Sequence, residues 1–134
     1  MTERDLLVDG AFETLASALR WAFDYGADRV TVSVSVLDAA VVPALTRSFS
    51  ALQTPAPMSI RGPDDTESAD APIHVNVGLG GKAEFAAAVR DLAADVAAGE
   101  LTPEAIDEAA VTDRLVFPTE PDLVIKTGEE RLSD

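Results

Sequence analysis

Cysteine is absent from this 134-residue sequence, so neither disulfide bonds nor thiolate metal sites can stabilise its fold. No apolar run approaches the roughly 18 residues that a membrane-spanning helix needs. The first ten residues also lack the basic region and the apolar run of a signal peptide. These absences predict a cytoplasmic protein without a transmembrane segment. The single histidine, His74, has no cysteine or second histidine to assist it, which favours a structural role over catalysis.

Basic residues are scarce, and lysine above all. Ten basic residues face 24 acidic ones, giving a formal net charge of −14, and only Lys82 and Lys126 are lysines. A field of this sign repels nucleic acid, which is therefore excluded as a partner. Abundant acidic residues with little lysine predict a halophilic source, because concentrated salt screens such a charge. The alternative is an ordinary acidic bacterial protein.

The length and the 47% hydrophobic content predict one folded domain over residues 1–134. Apolar residues alternate in some segments and recur at helical spacing in others. The pattern predicts helices at 10–25, 38–52, 82–98 and 102–115, and strands at 29–36, 58–61, 73–77 and 122–127. Residues 62–72 are polar and acidic, and are predicted to form a flexible loop. Strands that alternate with helices predict an α/β fold with a small, mainly parallel sheet flanked by helices.

Several side chains are assigned structural roles within these elements. Asp9 is predicted to be the N-cap of the first helix, and Trp21 and Phe23 are predicted to lie in the core. The long third helix is predicted to present one apolar face, made by Phe85, Val89, Leu92 and Val96.

A glycine-rich turn, GLGGKA at residues 78–83, joins a predicted strand to a predicted helix, an arrangement that points free backbone N–H groups at a phosphate. It fits G-x-G-x-x-A, but the acidic residue that a dinucleotide fold needs at the end of the next strand is missing. A Walker A loop also fails, because Asn76 replaces its first glycine and alanine replaces its Ser or Thr. Two interpretations remain: a tight structural turn, or a secondary phosphate turn that uses Gly80, Gly81 and Lys82.

A second candidate site follows the last predicted strand. Lys126, Arg131 and Ser133 offer two cations and a hydroxyl within eight residues, which suits a diphosphate. Ligands of open α/β sheets bind outside the carboxyl ends of the strands. The alternative is a frayed, charged tail.

The two candidate sites together resemble one family. PDLVIKTGEERLSD at residues 121–134 is similar to the D-L-x-I-R-T-x-G-E-x-R-x-S-N signature of cis-prenyltransferases, the undecaprenyl diphosphate synthases or isoprenyl transferases. Upstream, IHVNVGLGGKAEF resembles the N-Y-G-G-R turn and long helix of that family. Order and spacing agree from about Ile73 to Ser133, and residues 11–36 resemble the family more loosely. The resemblance implies a shortened, divergent member.

The family resemblance also implies a fold and a reaction. The implied fold is a parallel sheet flanked by helices around a hydrophobic cleft. The implied reaction is Mg²⁺-dependent condensation of isopentenyl diphosphate with an allylic diphosphate. Lys126, Arg131 and Ser133 then resemble the groups that hold isopentenyl diphosphate. Lys126 stands in place of an arginine, which keeps the charge but loses the planar fork.

Departures from the family pattern point to reduced activity. The metal-binding Asp of the M-D-G-N-x-R motif has only Asp9 as a counterpart, without the following Asn and Arg, so no metal ligand is predicted. The S-x-E-N-W segment corresponds to residues 36–40, which lack its Asn and Trp, and the sequence has no F-L-x-W-Q segment.

We therefore expect a protein that is catalytically impaired alone and acts as a prenyl-diphosphate binder or as an accessory subunit. Its expected partner is a full-length synthase or a second copy of the chain in a homodimer. The alternative is an active minimal prenyltransferase in which Asp9 binds Mg²⁺. A nucleotide-binding module is less favoured.

The halophilic hypothesis predicts a salt-dependent stability. Because salt screens the repulsion among the acidic side chains, we expect the Tm to rise steadily between about 0.1 and about 3 M KCl. Circular dichroism at each salt concentration measures it. A protein that is equally stable in dilute buffer contradicts the hypothesis.

Overall fold

The computed structural model describes residues 1–65, 70–78, 81–115 and 122–127, which form two compact units. The first unit contains the described residues up to Gly78 together with Lys126 and Thr127, and the second runs from Gly81 to Ile125. The chain has an α/β fold with a three-stranded parallel sheet and helices, as predicted. One domain over the whole chain stays a prediction. No described helix is long and apolar enough to span a bilayer.

The first unit consists of a sheet and the helices that connect its strands. Its elements are a 3₁₀ helix Glu3–Leu7, α1 (Ala11–Asp24), β1 (Val30–Ser35), a 3₁₀ turn Ala39–Val41, α2 (Val42–Ser50), β2 (Met58–Arg61) and β3 (Ile73–Gly78). The strand order is β1-β3-β2, with all neighbours parallel. In register, Val75 lies between Val32 and Ile60. The three strands predicted within this part of the chain are thus confirmed.

One face of the sheet carries the core. The inward residues of β1 and β3 are apolar and buried, and they form one cluster with α1 and α2: Val32, Val34, Ile73, Val75, Val77, Leu19, Leu45 and Phe49. The ring of Phe12 on α1 meets that of Phe49 on α2 edge to face, with centroids 5.4 Å apart. Edge-to-face geometry suits the aromatic quadrupoles. This contact joins the two helices over the same face of the sheet.

The opposite face of the sheet is polar. It presents the alternate residues of the three strands: Thr31, Ser33, Ser35, Ser59, Arg61, His74 and Asn76. His74 is largely buried, and its Nδ1 lies 2.8 Å from the Oγ of its cross-strand neighbour Ser59. Parallel sheets are ordinarily apolar on both faces. This sheet instead combines one apolar face with one face of hydroxyl, imidazole, amide and guanidinium groups.

The second unit is helical in its described residues. Its elements are α3 (Gly81–Ala97), a 3₁₀ turn Pro103–Ala105 and α4 (Glu108–Thr112). An ion pair joins Arg114 to Asp95 of α3, and Arg114 also donates to the carbonyl of Ala110, 2.8 Å away. This partly exposed ion pair links α3 to the segment after α4.

The single helix predicted at 102–115 is wrong, because the chain is extended at Ile106 and Asp107. The Asp107 side chain accepts a hydrogen bond from Ala110 N–H, 2.9 Å away, and so starts a new helix. Thr102 and Pro103 begin only the short 3₁₀ turn.

The predicted core role of Trp21 is corrected. Trp21 is 62% exposed, although Phe23 on the same helix does pack against the core. On α3, Phe85 and Val89 are exposed, whereas Leu92 is buried together with Ala88. The buried side of this helix therefore includes Ala88, a small residue that was not among those predicted for its apolar face.

The final strand predicted at 122–127 is also wrong. These residues form neither strand nor helix, and Leu123, Val124 and Ile125 are largely exposed. A strand exists only through a ladder of backbone hydrogen bonds with a neighbour. No described strand pairs with this segment, so its β-branched residues alone do not make it a strand.

The acidic loop predicted at 62–72 lies only partly within the described residues. Those on either side of 66–69 form neither helix nor strand. The flexibility of this loop stays a prediction.

The core predicts unequal effects for two aromatic truncations. Phe49→Ala should lower the free energy of unfolding by about 3–5 kcal/mol, because Phe49 is fully buried and its truncation leaves a cavity. Trp21→Ala, the matched control on an exposed helix face, should lower it by less than about 1 kcal/mol. Urea unfolding at constant salt compares them, and equal losses contradict the assigned core.

Candidate functional site

The carboxyl end of β1 is the point where several segments of the first unit meet. Ser35 is paired in register with Gly78, the last residue of β3 and the first of the glycine-rich turn. On the side of β1 away from β3, Thr2 forms a short parallel bridge with Ser35, whose N–H donates to the carbonyl of Met1 at 2.9 Å. The N-terminal residues are thus fixed beside the carboxyl edge of the sheet.

The 3₁₀ helix Glu3–Leu7 continues from this bridge and holds two carboxylates at the same edge. The carboxylate of Glu3 accepts a hydrogen bond from Leu37 N–H, 3.0 Å away, just after β1. Oδ2 of Asp5 accepts from the backbone N–H of Thr2 at 2.7 Å and from the Thr2 hydroxyl at 3.2 Å. Both contacts hold the start of the chain against the sheet.

Asp5 also holds the C-terminal segment. The Thr127 hydroxyl donates to Oδ2 of Asp5 at 3.0 Å, across 122 positions of sequence. The backbone N–H of Thr2 is the main cause that lowers the pKa of Asp5. Burial opposes it and is the next largest effect, and the hydroxyls of Thr127 and Thr2 and the N-terminal amine lower the pKa further. Asp5 is therefore a charged acceptor in the folded protein.

Of the residues predicted to hold a diphosphate, only Lys126 belongs to this region of the structure. It precedes Thr127 directly and its side chain is exposed. Arg131, Ser133 and Gly80 lie outside the described residues. Gly81 and Lys82 begin α3 in the second unit, and Lys82 is exposed.

Asp9 does not have its predicted structural role. The N-cap of α1 is Gly10, which has φ 79°, and Asp9 lies one residue earlier and exposed. The chain enters α1 from the 3₁₀ helix through a tight turn closed by Ala11 N–H and the Val8 carbonyl. That turn requires a left-handed residue next to the helix, which glycine adopts without strain. The N-cap prediction for Asp9 is therefore wrong.

The described residues do not by themselves form a magnesium site. No group of three or more His, Asp or Glu side chains among them lies close enough together to hold a metal ion. Asp9 follows a 3₁₀ helix and not a strand. A role of Asp9 in binding Mg²⁺ stays a prediction.

A pocket of about 320 Å³ lies between α2 and the carboxyl end of β2. Its described lining includes Val42, Pro43 and Thr46 on the helix side, and Asp64 and Asp65 after β2. Asp65 is already engaged, because its carboxylate accepts from Gly62 N–H at 2.7 Å. With two carboxylates and no cation in this lining, the pocket does not suit a diphosphate.

Sequence reasoning missed Asp5 and Thr2, although a signal was present. Thr2-x-x-Asp5 matches the capping-box spacing, in which the acidic side chain reaches back to the backbone N–H three residues earlier. That signal predicts the contact between Thr2 and Asp5. It says nothing of the contact with Thr127.

The chain is an α/β protein with polar groups at the carboxyl ends of its parallel strands. In open α/β sheets, ligands bind at this edge. No protein-family model matches the chain, but curated relatives do. The tritrans,polycis-undecaprenyl-diphosphate synthase (geranylgeranyl-diphosphate specific) of Thermococcus kodakarensis is 42% identical over 60 residues, 43% of this chain and 23% of that protein.

Two bacterial relatives give the same result. The ditrans,polycis-undecaprenyl-diphosphate synthase ((2E,6E)-farnesyl-diphosphate specific) of Xanthomonas axonopodis pv. citri is 43% identical over 65 residues, 46% of this chain and 25% of that protein. The isoprenyl transferase of Streptococcus thermophilus is 47% identical over 62 residues, 41% of this chain and 25% of that protein. The predicted resemblance is confirmed: part of this chain is similar to curated cis-prenyltransferases. The matched segment spans about a quarter of the length of these relatives.

The lowered pKa of Asp5 predicts a pH-dependent stability. The folded state favours the carboxylate, so its contribution is complete above the ordinary Asp pKa of about 3.9 and is lost as the pH falls through the lower folded value. At pH 7, Asp5→Asn should reduce the free energy of unfolding by up to about 1 kcal/mol. Below about pH 3.9 the difference from wild type should shrink.

Urea unfolding at several pH values measures this difference. Asp28→Asn is the charge-matched control, because Asp28 is exposed and makes no hydrogen bond with the described residues. A difference between wild type and Asp5→Asn that stays constant with pH contradicts the assignment.

Proposed function

We propose that this chain is a cis-prenyltransferase-like protein of polyprenyl diphosphate biosynthesis that binds isopentenyl or prenyl diphosphates and is catalytically impaired alone. In this proposal it acts as a diphosphate binder in the cytoplasm or as an accessory subunit of a full-length synthase. The curated relatives are synthases of undecaprenyl diphosphate or isoprenyl transferases, which supports the class of ligand.

The observation that carries the proposal is the position of the C-terminal segment. The hydrogen bond between Thr127 and Asp5 joins the residue after Lys126 to the N-terminal 3₁₀ helix, which Thr2 bridges to Ser35 at the carboxyl end of β1. That edge is where open α/β sheets bind ligands. An exposed ammonium group there is free to meet a phosphate from solvent.

The proposed clamp combines Lys126 with Arg131 and Ser133. A diphosphate is a multiply charged anion, and a chain of net charge −14 needs local cations to hold it. The lysine supplies a point charge, and the arginine supplies the planar donor set that pairs with two phosphate oxygens. The serine hydroxyl adds a neutral donor.

The surroundings of Asp9 support the proposed catalytic impairment. A diphosphate becomes a good leaving group when fixed donors and a metal ion neutralise the charge that develops on it. Asp9 is exposed and belongs to no group of metal-binding side chains among the described residues. The proposed chain therefore retains a binding function more readily than a catalytic one.

An accessory role is supported by the exposed apolar segment at Leu123, Val124 and Ile125. Three consecutive large apolar side chains at 76%, 60% and 79% exposure are costly to leave in water. A synthase subunit that offers a strand edge or an apolar surface would cover them. A second copy of this chain is the alternative partner.

Calorimetric titration with isopentenyl diphosphate tests the binding function. We expect saturable binding by the wild type, and a loss of about tenfold or more in affinity for Lys126→Gln, because one charge-assisted contact is removed. Lys126→Arg should retain binding. Arg20→Gln, which removes one exposed positive charge from α1, is the matched control and should bind like the wild type.

Two further results in the same preparations would overturn parts of the proposal. Equal binding by Lys126→Gln and Arg20→Gln contradicts the clamp. Incorporation of radiolabelled isopentenyl diphosphate by the purified chain with Mg²⁺ and a short allylic primer, abolished by Asp9→Ala, contradicts catalytic impairment and establishes the active minimal enzyme.

A further inference from the structure

Lys126 and Thr127 belong to the first unit but form no helix or strand there. Their only hydrogen bond with described residues is the one from the Thr127 hydroxyl to Asp5. Backbone ladders fix most segments of an α/β protein, but here one side-chain contact does so. The residue next to this contact is Lys126.

Asp5, by contrast, is held firmly. Its Oδ2 accepts from the backbone N–H and the hydroxyl of Thr2, and Thr2 is bridged to Ser35 at the end of β1. The N–H of Ser35 donates to Met1, and the N-terminal amine donates to the Ser33 carbonyl at 2.9 Å. A continuous series of hydrogen bonds therefore leads from the sheet through Asp5 to Thr127.

We propose that Asp5 is a positioning residue that holds the Thr127 hydroxyl, and through it Lys126, at the carboxyl end of β1 ready for a diphosphate. This inference rests on the proposed diphosphate-binding function and adds the residue that orders its cationic segment. Asp5 does not bind the ligand, because a carboxylate repels a phosphate. Its role is to reduce the conformational freedom that binding would otherwise have to remove.

The chemistry of the pair suits this role. Hydrogen bonds to a charged acceptor are stronger than neutral ones, so one contact can order a short segment. Threonine is stiff about χ1 because of its branched β-carbon, so a fixed hydroxyl also fixes the backbone of Thr127. Lys126 precedes Thr127 directly, so its backbone is restricted as well.

The experiment is a double-mutant cycle with isopentenyl diphosphate as the probe. Thr127→Val removes the hydroxyl at nearly constant volume, and Asp5→Ala removes its acceptor. Each should weaken binding about fivefold, and the double variant should be no weaker than either single one, because both changes break the same contact. Thr127→Ser, which restores a hydroxyl, should recover most of the affinity.

A second readout follows the segment without ligand. In ¹⁵N relaxation, the amides of Lys126 and Thr127 should be ordered in the wild type and in Thr127→Ser, and more mobile in Thr127→Val and Asp5→Ala. Thr31→Val makes the same chemical change on an exposed strand residue outside this series of hydrogen bonds, and should alter neither readout. Thr127 is exposed, so Thr127→Val leaves the core intact even if Asp5→Ala loosens the N-terminal helix.

The outcomes separate the two proposals. If the wild type binds the probe and the Thr127→Val and Asp5→Ala variants bind equally well, the positioning role is wrong and the diphosphate-binding function stands. Additive losses in the double variant also contradict the positioning role, because independent effects would then explain them. If the wild type does not bind, the proposed function fails, and the positioning role fails with it.

Discussion

The pairing of β3 with a parallel strand on each side is the constraint on which the first unit depends. Ile73, Val75 and Val77 are fully buried, and the register places Val32 and Ile60 beside Val75. Parallel strands need long connections, so α2 must cross between β1 and β2, where it covers the apolar face with Leu45 and Phe49. The parallel arrangement also brings the ends of β1 and β3 to one edge, and this creates a place where distant segments can meet.

The apolar core and the polar contacts at that edge are stabilised by different interactions. The core is stabilised by apolar burial, which is strong and does not depend on direction. The N-terminal residues, Asp5 and Thr127 are held by individual hydrogen bonds near solvent, each of which contributes little. Such a region can order or release a segment without disturbing the sheet, because the free energies involved are small beside those of the core. A binding segment gains from this separation, since its position can respond to a ligand while the scaffold does not.

The parts of the fold that depend on local pattern were predictable from sequence. Alternating valines gave β1, and the spacing of Phe12 and Leu19 gave α1. Features that depend on a partner elsewhere were not: the segment at 122–127 has strand-like residues but no described neighbour, and Gly10 replaces Asp9 as N-cap because of the preceding 3₁₀ helix. Of the candidate site, Lys126 was identified by its charge after a predicted strand and by resemblance to a family motif. Asp5 was not, because no local pattern connects residues 122 positions apart.

The polar face of the sheet has a consequence for the kind of ligand that this unit can recognise. An isoprenoid chain laid against Thr31, Ser33 and Asn76 would remove hydroxyl and amide groups from water and offer them no hydrogen bonds in return, which is unfavourable. If the chain binds a prenyl diphosphate as proposed, the hydrocarbon part would turn away from this face, and the charged head group would lie at the strand ends. Such a sheet would distinguish ligands by their phosphates and not by the length of the hydrocarbon attached to them.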